Sequence, residues 1–263
     1  MIDLHTHILY GLDDGALDRE TMLRMFRMAA ADGTREMVAT PHHISGADRY
    51  SPEQLEERLR EARELLKEHE IPIRLHGGQE LFLEESLTGE LEGGRARCLG
   101  DTRFVLVEFP MTGIPGFAEG MICRLKTLGY QVILAHPERC ADFQQDPGLL
   151  EDYILEGCLT QINAGSLTGR MGRRAAETAE AFLMSSMVHL VASDCHSAGG
   201  RPPGLSGARN RVRELRGNVV ADRIFGERPE MILAGQMPVV PEPHWQAPRR
   251  SWLGRLKAGL SFR

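Results

Sequence analysis

The chain has 263 residues, 42% hydrophobic and 26% charged, an ordinary globular composition that excludes disorder as its main state. No run approaches roughly 18 uninterrupted apolar residues, and Met1-Ile2-Asp3-Leu4-His5 lacks the basic and apolar regions of a signal peptide, so the sequence predicts neither a membrane span nor export and places the chain in the cytoplasm. The net charge of −6 hides an asymmetry: residues 243–263 hold five of the 31 basic residues and no acid, leaving 26 basic against 37 acidic elsewhere, an acidic body that argues against nucleic acid as a partner.

In chain order, a short β-rich segment recurs, each time followed by a helical pattern, which predicts a parallel sheet or barrel. The predicted strands are Met1–His5, Arg35–Thr40, Ile73–Gln79, Arg103–Phe109, Gln131–Ala135, Leu159–Asn163 and Val188–Ser193, seven in all, rich in Val, Ile or Leu and bounded by turn residues. Asp18 to Ala31 reads as a helix with Met22, Met25, Phe26 and Ala29 on one stripe and Gly33 as its stop, the methionines serving core packing. Ser51-Pro52-Glu53-Gln54 supplies an N-cap, a first-turn proline and a capping-box glutamine for a second helix running to Glu70, with Leu55, Leu59, Leu65 and Leu66 at helical spacing. Thr88–Gly100, with Gly89, Gly93 and Gly94, reads as a loop on the face of the barrel, bordering the substrate entrance. Further helices are expected near 115–129, 147–157, 170–186 and 205–225.

Residues 1–235 thus form the domain, and 236–263 an appendage. Pro238, Pro241, Pro243 and Pro248 resist regular structure. The basic segment Arg249–Arg263 then sets Trp252, Leu253, Leu256 and Leu260 near one helical face. It suits either docking on its own domain or contact with a membrane surface or partner.

The chemistry is concentrated at strand ends. Asp3, His5 and His7 lie on or just beyond the first strand, His42 and His43 beyond the second, Glu80 beyond the third, Glu108 near the end of the fourth, His136 beyond the fifth, and Asp194 and His196 beyond the seventh. In a closed parallel barrel those ends share one rim, so residues far apart in sequence meet there. Imidazoles and carboxylates together are a ligand set for Zn, Mn or Fe, and alternation puts His5 and His7 on one side of their strand. His69, His76 and His244 read as loop or solvent-exposed residues, His189 as packing, and Gly77-Gly78 and Gly199-Gly200 as turns. The five cysteines lack a CxxC pair and suit reduced thiols.

Eight motifs in order carry a resemblance: Asp3-Leu4-His5-Thr6-His7, Gly11-Leu12-Asp13-Asp14-Gly15, Ala39-Thr40-Pro41-His42-His43, Gly78-Gln79-Glu80, Val107-Glu108, Ala135-His136-Pro137-Glu138-Arg139, Asn163-Ala164-Gly165-Ser166-Leu167 and Ser193-Asp194-Cys195-His196. Over roughly residues 1–235 they resemble the PHP (polymerase and histidinol phosphatase) superfamily, and within it the bacterial capsule-associated protein-tyrosine phosphatases. The resemblance implies a distorted (β/α)7 TIM-like barrel with three divalent metal ions, manganese foremost and iron or zinc as alternatives. It implies His5, His7, Glu80 and Asp194 on one ion, Glu80, Glu108 and His136 on a second with Glu80 bridging, and Asp14, His42 and His196 on the third. Arg139 and Arg201 would contact the phosphate, and Asp3 would orient a ligand or assist protonation of the leaving group.

The activity so implied is hydrolysis of phosphotyrosine in a protein by attack of a metal-bridging hydroxide, the substrate being a membrane-associated tyrosine kinase that controls capsular or extracellular polysaccharide synthesis. A small-molecule phosphatase of the same superfamily, such as one acting on histidinol phosphate, is the alternative. A module that has lost catalysis would lack ligands, and all nine residue types are in place. Cys195 to Arg201 also has the Cys-x₅-Arg spacing of thiolate phosphatases, but the neighbouring Asp194 would raise the thiol pKa and the five strand-end residues His5, His7, Glu80, Glu108 and His136 would have no task.

Overall fold

The computed structural model describes residues 1–47 and 50–245. Its first half runs β1 (Ile2–Thr6), α1 (Arg19–Ala31), β2 (Glu36–Ala39), β3 (His42–His43), α2 (Pro52–Glu68), β4 (Arg74–Gly77), β5 (Glu80–Phe82), α3 (Leu87–Glu92), β6 (Phe104–Glu108) and α4 (Ala118–Thr127). The second half follows with β7 (Gln131–Ala135), α5 (Ala141–Gln145), α6 (Gly148–Leu155), β8 (Leu159–Asn163), α7 (Ala164–Leu167), α8 (Arg173–Met184), β9 (Leu190–Ala192), α9 (Ser206–Arg216), α10 (Asn218–Asp222) and α11 (Arg228–Leu233).

All strand pairs are parallel, in two sheets of order β1-β2-β4 and β3-β5-β6-β7-β8-β9. β2 and β4 fall within the predicted Arg35–Thr40 and Ile73–Gln79, and each is followed by a short strand, β3 or β5, that the sequence did not predict. Thr40-Pro41 separates β2 from β3, where proline has no N–H to give a ladder, and Gly78-Gln79 separates β4 from β5. The breaks are still bonded to each other, Gly78 N–H donating to Ala39 O at 2.9 Å and Glu80 N–H to Pro41 O at 3.2 Å. At the other edge β1 meets the end of β9: Thr6 and Cys195 form a parallel bridge, Asp194 N–H donates to His5 O at 3.0 Å and His7 N–H to Cys195 O at 2.9 Å. The architecture is a mixed α/β fold whose described strands form two parallel sheets.

Both faces of these strands are buried, as expected where helices cover a parallel sheet. Leu106, Ile133, Leu159 and Leu190 join Ile2, Leu4 and Val38 in one cluster, while the alternate residues Val105, Val107, Val132 and Leu134 pack against α4 and its neighbours. A third cluster holds the predicted Met22, Met25, Phe26 and Ala29 stripe of α1 against Leu55, Leu59 and Leu65 of α2. Full burial of a side chain such as Leu59 contributes about 1.5–3 kcal/mol. The caps follow the sequence: Asp18 accepts from Thr21 N–H, and Ser51 and Gln54 form a reciprocal capping box.

Four expectations need correction. Within Thr88–Gly100, Leu87–Glu92 is helical, because Leu87 and Leu91, one turn apart, are buried in the core and outweigh the glycines. The helix expected over 205–225 breaks at Gly217 (φ +83°) and ends in a π-helical turn, Arg223–Glu227. Gly77-Gly78 gives room rather than a turn: a Cβ on Gly77 would lie 2.6 Å from Leu59 Cδ1, and one on Gly78 3.0 Å from Leu99 Cδ2. His76 lies on β4, half-buried and paired with Glu36 at 2.8 Å, rather than in a loop.

Residues 236–245 carry no helix or strand, as the prolines predict, yet the segment lies against the domain. His244 N–H donates to Ser185 O and Trp245 N–H to Glu151 Oε1, at 3.0 and 2.9 Å. The predicted amphipathic stretch Arg249–Arg263 lies outside the described residues.

A candidate metal centre at the strand ends

The parallel arrangement delivers the chemistry to one place. His5 is on β1 with His7 just past it, His42 on β3, Glu80 opening β5, Glu108 closing β6, His136 one residue past β7, and Asp194 and His196 past β9. Asp14 comes from the loop between β1 and α1. All nine predicted ligand residues meet, in four overlapping groups whose donor atoms lie within 4.8 Å of one another: His7, Asp14, His42 and His196; His5, His7 and Glu80; His5, His136 and Asp194; His42, Glu80 and Glu108. These groups overlap the implied sets of four, three and three residues, with His7 also near Asp14 and Asp194 near both His5 and His136.

Glu80 is the hub. Its Oε2 is 3.2 Å from His5 Nε2, 3.2 Å from His7 Nε2 and 3.0 Å from His42 Nδ1, and its Oε1 is 2.8 Å from His136 Nε2. Despite those neighbours Oε2 is buried with no hydrogen bond of good geometry. An oxygen of that kind, ringed by nitrogens, is a donor without a proton to meet. His5 Nε2 and His7 Nε2 face each other at 3.1 Å, which only a shared proton or cation makes favourable.

The opposite ring nitrogens are spoken for. His7 Nδ1–H donates to Asp13 Oδ2 at 2.6 Å, His5 Nδ1–H to Gln161 Oε1 at 2.7 Å, and His196 Nδ1–H to the Asp194 carbonyl at 3.0 Å. Fixing Nδ1 as the donor leaves each Nε2 lone pair directed into the cluster, the tautomer a cation requires. The residues present thus fit divalent cations in kind, number and orientation.

Burial by itself would neutralise this many charges, so the surviving charge states report pairing. Burial pushes Asp194 up, but His5 and His136 outweigh it and hold the carboxyl at about 2. Glu80 is likewise held well below its ordinary range by His5, His136 and His42 against its desolvation. Burial opposes a charge on His136, yet the Glu80 carboxylate raises it to about 9. Glu108 is pushed up by burial and then by the Glu80 carboxylate beside it. His136 and Asp194 also have left-handed backbones (φ +31° and +50°), a conformation costly outside glycine that persists where the surroundings over-determine it.

Both predicted arginines reach the cluster through one oxygen. Asp194 Oδ2 accepts from Arg201 Nη2 at 2.5 Å, Arg139 Nη1 at 3.3 Å and Asn163 Nδ2 at 2.6 Å, while Oδ1 faces His5 and His7 at 3.5 Å. The Arg139 and Arg201 side chains keep 26% and 31% exposure, so both stand at the rim of the cluster.

Asp3 holds backbone at the edge of the cluster. Its Oδ1 accepts the main-chain N–H of Ser193 at 3.0 Å and of His5 at 3.5 Å, so its contacts are with backbone at the β1–β9 junction rather than with the cluster's rings. Burial raises its pKa to about 6. Cys195 is fully buried, and burial followed by Asp3 drives its thiol far up, which removes the thiolate alternative.

Sequence reasoning gave no site role to Asp13, Gln161 or Glu138, although Asp13 and Glu138 stand within the quoted motifs, as does Asn163, which donates to Asp194. Glu138 is buried and holds the strand end after β8, accepting Asn163 N–H at 2.9 Å and Ser166 Oγ–H at 2.7 Å. Their signal was a run of polar residues inside apolar strand Leu159–Asn163 and the doubled aspartate at 13 and 14. His43 is buried, 3.6 Å from Glu90. His189 is buried as expected, its Nδ1 accepting Thr160 N–H at 3.1 Å.

Residues 1–234 match the family model described as capsular polysaccharide synthesis, CpsB/CapC. The chain belongs to that family. It is 34% identical over 197 residues to the tyrosine-protein phosphatase YwqE of Bacillus subtilis (strain 168), covering 75% of this chain and 78% of the relative. It is 28% identical over 242 residues to the tyrosine-protein phosphatase CpsB of Streptococcus pneumoniae, covering 90% and 100%. The fold matches, with a TM-score of 0.90, 30% identity and coverage of 94% of this chain and all of the other, a solved structure from work on YwqE and CpsB of those two species, described as unique metal-dependent tyrosine phosphatases. Family membership therefore agrees with a cluster built from the chain's own histidines and carboxylates.

Proposed function

We propose that this chain is a metal-dependent protein-tyrosine phosphatase whose substrate is a phosphotyrosine-bearing tyrosine kinase that controls capsular or extracellular polysaccharide synthesis. The observation that carries the reading is the convergence of nine imidazole and carboxylate side chains at one set of strand ends, with Arg139 and Arg201 seated together on Asp194 at its rim. Names and coverage of the CpsB/CapC relatives support the phosphotyrosine assignment.

His5, His7, Glu80 and Asp194 would hold one divalent cation, Glu80, Glu108 and His136 a second, and Asp14, His42 and His196 a third, with manganese the metal we favour over iron or zinc for this mixed oxygen and nitrogen set. Cations so held supply an activated water and neutralise the charge on a transferring phosphoryl group. The protein's own part is positional. Arg139 and Arg201 bind the outer phosphate oxygens through forked, charge-assisted hydrogen bonds that a lysine cannot match in geometry. Asp13, Gln161 and the Asp194 carbonyl hold three imidazoles in the required tautomer. Asp3 ties the backbone of His5 to that of Ser193 and so sets the spacing between β1 and β9.

The two sheets act together as a distorted (β/α)7 barrel with the cluster in its mouth, the β1–β9 contact standing for the closing pair. Among the described residues no helix is long and apolar enough to cross a membrane. Residues 249–263, basic and amphipathic in sequence, would bring the enzyme to the inner face of the membrane or to its kinase. The discriminating experiment compares kcat/KM for a phosphotyrosyl peptide and for histidinol phosphate. The proposal requires the peptide to be the better substrate by at least tenfold, and preference for histidinol phosphate would replace it with the small-molecule reading.

A further inference from the structure

Beside the cluster lies a cleft of about 350 Å³, at the lower end of the size of ligand sites. It runs from Arg201, which it shares with the metal centre, along the start of α7 and α9 to Asp32 at the end of α1. Met28, Met171, Pro202 and Pro203 give it apolar walls, and Arg170 stands in its lining. The segment carrying Arg170 and Met171 follows α7, which opens directly off the end of β8, so it belongs to the same rim as the cluster.

The charge of this edge runs against that of the body. Arg170, Arg173 and Arg174 fall within five residues of each other on a domain that is otherwise strongly acidic, and all three are exposed. Arg173 is paired with Glu177 at 3.1 Å, whereas among the described residues no ion pair engages Arg170 or Arg174. The cleft's one acid is already occupied: Asp32 accepts Leu205 N–H at 2.6 Å and Ser206 N–H at 2.9 Å, and also takes the Ser206 hydroxyl, capping α9. A ligand lying here thus meets apolar walls, a cation that no ion pair among the described residues engages, and a carboxylate already occupied by its own backbone and hydroxyl partners.

We infer that this cleft is the subsite for the residues that flank the phosphotyrosine, and that Arg170 selects an acidic side chain beside it. The inference rests on the phosphotyrosine reading above. Arg201 is the joint between the two sites: its guanidinium is bonded to Asp194 and the residue also lines the cleft, so a chain whose phosphoryl group is held at Arg201 has this cleft as its adjoining groove. Met171 packs its Sδ and Cε against Gly165, where a Cβ would come within 3.0 Å, so the floor of the groove is set by a glycine at the start of α7.

The test uses the full chain with manganese and two phosphotyrosyl peptides that differ only in having glutamate or glutamine on either side of the phosphotyrosine, together with p-nitrophenyl phosphate. The wild type should favour the glutamate peptide in kcat/KM, through KM, by about two- to five-fold, the range of one exposed ion pair. Arg170→Gln should bring the ratio between peptides toward one, and Met171→Glu, which places an anion in the groove, should invert it. Equal kcat/KM for both peptides in the wild type, or a ratio unchanged by Arg170→Gln and Met171→Glu alike, overturns this inference while leaving the phosphatase assignment in place. Hydrolysis of p-nitrophenyl phosphate with turnover of neither peptide overturns both.

Discussion

Replacing Asp13 by asparagine tests how far the imidazoles depend on their supports. Asp13 Oδ2 accepts from His7 Nδ1–H at 2.6 Å and from His42 N–H at 3.0 Å, and Oδ1 accepts from Gly15 N–H at 2.9 Å. All three neighbours are donors, so an isosteric amide must turn its NH2 toward at least one of them and leave donor facing donor. The carboxylate's charge is lost as well; burial would raise the pKa of Asp13, yet the bond from His7 keeps it below the ordinary value, so Asp13 stands as a carboxylate. Supports of this kind are worth 10- to 100-fold in metal affinity, on the order of 1.4–2.8 kcal/mol. Activity titrated against buffered manganese should therefore show half-saturation raised about 10- to 100-fold in Asp13→Asn, with kcat at saturation falling less. A half-saturating concentration within about twofold of wild type would refute the claim that Asp13 sets the His7 tautomer.

Three further outcomes follow from the geometry. Arg201→Lys keeps the charge but loses the fork, and should lower kcat/KM by about 10- to 100-fold, the worth of one charged hydrogen bond, measured as initial phosphate release. Cys195→Ala should retain kcat within about twofold at saturating metal, because the buried thiol is no nucleophile, and loss of turnover with an intact fold would contradict this. His189 governs acid stability: burial and then Arg228 lower its pKa to about 3, while in the unfolded chain it titrates near 6.5. Between those values the unfolded state binds the extra proton, so stability is full above about pH 6.5 and falls as pH drops, by about 2 kcal/mol at pH 5. Urea unfolding at pH 7 and pH 5 should show His189→Asn, which can still accept the Thr160 N–H, losing about 2 kcal/mol less than wild type over that interval.

Much of the fold is legible because the strands are runs of Val, Ile and Leu buried on both faces and because helix starts are marked chemically, at Asp18 and Ser51. What escaped was tertiary in origin. The short strands β3 and β5 resume pairing beyond Pro41 and beyond Gly77-Gly78, which pack closely against Leu59 and Leu99, and α3 forms because Leu87 and Leu91 find a core that local glycines do not reveal. The candidate ligands were legible as residue types repeated at strand ends. Their division among ions was not, because His7 and Glu80 each stand between groups, and a sequence cannot say which way a shared side chain leans. The roles of Asp13, Gln161 and Glu138 were not legible, because a polar residue in or beside a strand gains its meaning only from the imidazole or backbone that it meets.

The most direct test of the central claim is the initial rate of phosphate release from a phosphotyrosyl peptide by protein stripped of metal, measured before and after manganese is restored. The account predicts that the rate vanishes on stripping and returns with the ion, since the cluster's buried donors have no other task. A rate that persists in stripped protein would contradict it.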